Sequence, residues 1–187
     1  MKSRRPAYIE EKRPVYIGCE GTSEFGYAAL LQDMLRDPDM SVHLVIRDLG
    51  KGAGDPLARI EKAVQYLKQN HSPPTKRFVL LDSDQVERDP QRANQARSLA
   101  AVNNITIIWQ SPCFEAMLLR HLEGCTTRRP PDTGEAGRAL NREWRNYKKP
   151  MSRASLSQRI DRAAVLRAAS VEPGLSALLR CLGLMVD

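Results

Sequence analysis

No stretch of this chain approaches the ~20 consecutive apolar residues that a membrane span requires. The opening Met-Lys-Ser-Arg-Arg-Pro has no apolar core of the kind a secretory signal carries. The chain is therefore expected in the cytoplasm and away from membranes. Its four cysteines, Cys19, Cys113, Cys125 and Cys181, form no Cys-x-x-Cys pair, so neither a disulfide framework nor a zinc ribbon is suggested and reduced thiols are expected. The glycine-rich stretch around Lys51 lacks the spacing of a P-loop, and no Ser or Thr follows the lysine, so it predicts a plain loop. What is present is a 187-residue chain that is 42% hydrophobic, enough for one domain with a small extension.

Apolar runs and helical periodicity alternate along the first two thirds. Val15 to Cys19 predicts a strand, with Glu20 at its end and Gly21 making the turn. Thr22 or Ser23 can cap the following helix, Glu24 suits its positive first turn, and Phe25, Ala28, Leu31 and Leu35 share its apolar face. Val42, Leu44 and Ile46 alternate as a second strand. Asp55-Pro56 and Asp89-Pro90 are cap-plus-proline helix starts, and Ile105 to Trp109 is a fourth strand. Strand and helix in strict alternation predict an α/β fold, a mostly parallel sheet of about four strands with helices on both faces over residues 14–122. Residues 1–13 are expected as a mobile arm, and 123–187 as a basic loop and helical extension packing on the same domain.

The third strand carries the most pointed signal. Phe78-Val79-Leu80-Leu81 reads as a strand buried on both faces, and Asp82-Ser83-Asp84 closes it. In an extended chain i and i+2 point the same way, so two carboxylates can turn toward one point, where their repulsion is relieved by a cation. Mg²⁺, with Mn²⁺ as its substitute, matches hard oxygen ligands of this type. The plainer alternative is that both are turn residues. Glu20 ends another strand at the same sheet edge, which is where such sheets carry their sites. Ser111-Pro112 predicts a further helix start, with Pro112 at its first position and Glu115 in its first turn; Glu115 is either a favourable charge there or a fourth oxygen ligand. Cys113 with His121 is a weaker, thiol-based alternative.

From Arg128 to Arg167 there are eleven Lys or Arg against four acids, a local surplus of +7 that equals the charge of the whole chain. Arg142, Trp144, Arg145, Tyr147, Lys148 and Lys149 lie within it. Basic residues interleaved with aromatics predict phosphate contacts and base stacking, or else a solvated helix face with its rings packed inward.

Four blocks together resemble the RloB-like family: Ile17-Gly18-Cys19-Glu20-Gly21 with Ser23-Glu24, then Leu80-Leu81-Asp82-Ser83-Asp84, then Ser111-Pro112-Cys113-Phe114-Glu115, then Tyr147-Lys148-Lys149. The resemblance implies a Toprim-like fold and a metal-dependent nuclease of a bacterial phage-defence or abortive-infection system, often encoded beside an ATPase partner. It implies that Glu20 is a general acid/base or shared ligand, that Asp82 and Asp84 hold Mg²⁺, that Glu115 completes a second metal position, and that Lys148 neutralises charge developing on phosphate. A Toprim-type nucleotidyl transferase and a non-catalytic nucleic-acid-binding component are the rival expectations.

Overall fold

In the computed structural model the described residues are 11–37, 39–50 and 55–186. The expected arm falls outside them up to position 10, as does the Lys51 part of the glycine loop; Arg13 already opens the first strand.

The elements run β1 (Arg13–Cys19), α1 (Thr22–Met34), β2 (Val42–Asp48), α2 (Pro56–Lys68), β3 (Lys76–Asp82), α3 (Asp84–Arg88), α4 (Pro90–Val102), β4 (Thr106–Gln110), α5 (Phe114–His121), α6 (Thr133–Glu143), α7 (Arg153–Leu156), α8 (Arg162–Ala169) and α9 (Pro173–Leu182). The four strands form an all-parallel sheet in the order β2-β1-β3-β4. The chain is thus an α/β protein, as the alternation predicts. Asp55 and Asp89 cap α2 and α4 by accepting from the Leu57 and Arg92 amides at 3.0 Å, each with proline at the first helical position.

Alternation along the strands divides the core between two faces. Val15, Ile17 and Cys19 of β1, with Phe78 and Leu80 of β3, pack against α1, α5 and the C-terminal helices. Tyr16, Val79 and Leu81 turn the other way, onto α2 and α4. Residues 123–186 enter the first of these clusters through Leu140, Trp144, Val165, Leu175 and Leu179, so this segment completes the layer on that face.

Two helix starts differ from expectation. Gly21, with no side chain to offer, is the N-cap of α1, because Ser23 Oγ is taken up by the Met151 amide at 3.0 Å. Helix α5 begins at Phe114 rather than Pro112; Cys113 is its N-cap, and the Ser111–Pro112 bond is cis. On α1 the inward face is Tyr27, Ala28, Leu30 and Leu31, which leaves Phe25 turned outward at 39% exposure.

Candidate functional site

The parallel pairing of β1 with β3 sets Cys19 beside Leu80. Both strands are interior to the sheet, and the next residues of each emerge together at its carboxyl edge. The Asp82 amide donates to Glu20 Oε2 at 2.9 Å, which ties the two strand ends to each other. Asp82 Oδ1 in turn accepts the Phe114 amide at 2.8 Å, holding the positive N-terminus of α5 against the carboxylate. Because α1 starts immediately after Gly21, its first turn brings Glu24 back over the same point. A cleft of about 410 Å³ opens there, lined by Glu20, Thr22, Glu24, Asp82 and Lys149 among others.

Three carboxyls crowd this cleft. Burial, with Glu24 and Glu20 beside it, pushes Asp82 up to about 8. Burial also raises Glu24, with Glu20 adding to it. Glu20 is raised by burial too, against the pull of the Asp82 amide and of the buried Arg59 on α2. All three shifts run in the same direction because charge here is poorly solvated and repelled by its neighbours. Lys149 is the cation that opposes the trend at all three.

Lys149 arrives from far along the chain on a short strap. Tyr147, buried, donates its hydroxyl to Glu115 Oε1 at 2.8 Å, and Lys149 pairs with the same carboxylate. Between them Lys148 is exposed. Met151 anchors the far end on Ser23, and Gly26 makes that anchorage possible: a Cβ at position 26 would lie 2.4 Å from the Met151 carbonyl oxygen.

The sequence-derived residues therefore separate. Glu20 and Asp82 meet, and Glu115 stands behind Lys149. Asp84 does not share their cleft: β3 ends at Asp82 and the chain turns into α3, so the extended geometry that would align the pair is lost. Asp84 instead lines an adjoining cleft of about 260 Å³ with Glu87, Arg88 and Asp132, near enough to Glu20 to raise its pKa. Lys148, expected at the phosphate, is exposed and is not among the residues lining the cleft, whereas its neighbour Lys149 is. Glu24, read as a helix-start charge, belongs to the site; its i, i+4 spacing from Glu20 across a strand-to-helix turn was the available signal.

The aromatic pair corrects the base-stacking expectation. Trp144 is 4% exposed and Tyr147 8%, their rings 6.3 Å apart within the core, so neither offers a face to a base. Of the expected basic contacts, Arg142 pairs with Glu135 at 2.9 Å on α6, while Arg145 and Lys148 are exposed and have no hydrogen-bond or ion-pair partner among the described residues. The thiol alternative is also corrected. Cys113 is buried, and burial pushes its thiol up to about 11, the reverse of activation. His121 faces Tyr27, whose hydroxyl lies 2.9 Å from Nε2.

Among the described residues no three His, Cys, Asp or Glu side chains converge on a single metal position in this conformation, since Glu20 and Asp82 each have an oxygen on a backbone amide and Glu115 is turned to Tyr147 and Lys149. The donor chemistry nonetheless fits a hard divalent ion: the cleft holds only carboxylates as anionic donors, and their mutual repulsion is what such an ion relieves.

An all-parallel sheet with acids gathered beyond the carboxyl ends of its two central strands defines an α/β protein whose candidate site lies where sheets of this kind carry theirs. The chain belongs to the RloB-like family, whose family model, described as RloB-like protein, matches residues 15–174. No curated protein and no solved structure matches the chain. Among the described residues no helix is long and apolar enough to cross a membrane.

Proposed function

We propose that the chain is a metal-dependent phosphodiesterase that cleaves RNA or DNA, built on a Toprim-like α/β fold and serving a phage-defence or abortive-infection system with an ATPase partner. The observation that carries this reading is the cleft that Glu20, Glu24 and Asp82 line together with Lys149, the one lysine among its described lining residues. Anionic donors together with one cation are what a metal-assisted phosphoryl site requires. Asp82, Glu20 and Glu24 would hold Mg²⁺ or Mn²⁺, with Asp84 supporting from the adjoining cleft. Such an ion, when bound, supplies Lewis-acid polarisation of a phosphate oxygen.

The chain's own residues do the rest. Glu20 lies at the centre, beside both Asp82 and Glu24, and is the group positioned to take or return a proton. Lys149, held on Glu115, supports the negative charge that builds on the phosphate. Exposed Arg145 and Lys148 lie on the same strap-bearing segment and are available to the backbone of a nucleic acid.

The test is incubation of labelled RNA and DNA with the protein and Mg²⁺ or Mn²⁺, with and without added nucleotides. Metal-dependent shortening of the strand, abolished by Glu20→Gln while binding persists, is the expected result. Lengthening that depends on nucleotides makes the protein a nucleotidyl transferase. Binding with neither change makes it a non-catalytic component, and either outcome overturns the proposal.

A further inference from the structure

Burial of Trp144 and Tyr147 leaves a question of where an unpaired base would rest, and one side chain answers it. Phe25 is the only aromatic residue in the exposed class among the described residues. The other partly exposed rings are covered: Tyr66 stacks on Tyr16 at 5.7 Å with Arg47 4.4 Å from its centre, and Arg97 lies 5.2 Å from the centre of the Trp109 ring. Phe25 has no ring or cation neighbour among the described residues. It occupies the fourth position of α1, three residues after Thr22, which lines the cleft; i and i+3 share a helix face with about 5 to 6 Å between their Cβ atoms. An outward phenyl ring thus stands one turn from the rim of the acidic cleft. The inward face of α1 is filled by Tyr27, Leu30 and Leu31.

We propose that Phe25 is a stacking platform for a nucleobase adjoining the phosphate held at the cleft, and that the substrate is therefore single-stranded or unpaired where it crosses α1. This rests on the nucleic-acid reading given above. A base inside a duplex has both faces occupied by its neighbours and cannot stack on a side chain; an unpaired base can, in sequence-tolerant fashion.

The experiment is fluorescence anisotropy of labelled oligonucleotides with Ca²⁺ in place of Mg²⁺, comparing wild type with Phe25→Ala and Phe25→Trp after checking that thermal midpoints are unchanged. Phe25→Ala is expected to weaken binding of single-stranded RNA or DNA by about 5- to 150-fold. Phe25→Trp is expected to keep wild-type affinity and to show quenching of its added indole on binding. A blunt duplex and a chain of abasic sites should bind wild type and Phe25→Ala alike, because neither presents a free base. Equal binding of single strands by wild type and Phe25→Ala overturns the inference alone, and would mark the ring as a contact for a protein partner. An equal loss on abasic chains also overturns it. If wild type binds no oligonucleotide, the nucleic-acid reading falls and this inference with it.

Discussion

His121 should make the protein measurably acid-sensitive. It is wholly buried, with Nδ1 2.9 Å from the Met117 carbonyl oxygen and Nε2 2.9 Å from the Tyr27 hydroxyl. The carbonyl can only accept, so Nδ1 carries the proton and Nε2 accepts from tyrosine: a neutral ring with both nitrogens satisfied. Burial, together with nearby Arg167, lowers its pKa from 6.5 to about 4. Above pH 6.5 the ring is neutral in both folded and unfolded chains and pH has no leverage through it. Below that value the unfolded chain takes up a proton that the folded one refuses, so stability falls until the folded pKa is passed. At about 1.36 kcal/mol per unit the penalty is roughly 2 kcal/mol at pH 5, and it levels off at roughly 3 below pH 4. Asp82, Glu20 and Glu24 act with the opposite sign. Their raised values mean that stability from them is present at acid pH and lost as pH rises through the folded pKa. The difference between wild type and His121→Gln cancels their share. Urea unfolding in chelator from pH 8 to pH 5 should show the wild-type advantage over His121→Gln shrinking by roughly 2 kcal/mol. A constant difference, or one that widens toward acid, refutes the buried neutral ring.

Asp82→Asn should abolish Mn²⁺ binding in calorimetric titration, whereas Asp84→Asn, acting from the adjoining cleft, should weaken it by about 10- to 100-fold; equal effects would place both acids in one shell. Lys149→Met should lower kcat by about 100- to 1,000-fold while raising Mn²⁺ affinity severalfold, because it removes a cation from beside the carboxylates, and Lys148→Met should leave kcat within a few fold. In a salt series with single-stranded oligonucleotide, Arg145→Ala should reduce the slope of log K against log salt by about 0.7, and Arg142→Ala, already neutralised by Glu135, by clearly less. Gly26→Ala should lower stability by roughly 1 to 3 kcal/mol despite alanine's better helix propensity, since its methyl group meets the Met151 backbone rather than a side chain that can move; a stabilised variant in thermal denaturation would contradict that close approach.

The sheet was readable because its signals are local. Runs such as Val79-Leu80-Leu81, and cap-plus-proline starts such as Asp55-Pro56 and Asp89-Pro90, declare strands and helices within a few residues. Glu20 and Asp82 were readable for a related reason, because an acid just past a buried strand falls at the productive edge of a parallel sheet whatever else surrounds it. Glu24, Lys149 and Phe25 were not. Lys149 is placed by the strap of residues 147–151 crossing α1, a contact between parts of the chain more than 120 residues apart that no periodicity records, whereas Glu24 and Phe25 depend on where α1 starts and which face it turns inward. The same distance hid the burial of Trp144 and Tyr147: polar neighbours in sequence say nothing about a hydrophobic layer assembled from β1, α5 and α8. Asp84 was misplaced for a third reason, namely that the strand ended two residues before the pattern suggested.

The strap also determines which changes of length the chain can absorb. Tyr147 is fastened to Glu115, and Met151 to Ser23, so three residues must span two fixed points with the middle of the span carrying the ammonium into the cleft. The side chain at Lys148 can vary without altering that distance. One inserted residue cannot be accommodated so simply, because it changes the length of chain between the two anchors and moves the lysine from the position at which it meets Glu115. Residues 123–132 have anchors of their own: Cys125 is buried in the core, and Arg128 accepts from Arg120 Nε at its carbonyl oxygen at 3.1 Å and pairs with Glu143 at 2.9 Å. Counting residues between anchors, rather than comparing side chains, is therefore the stricter way to recognise whether a related chain can build the same cleft.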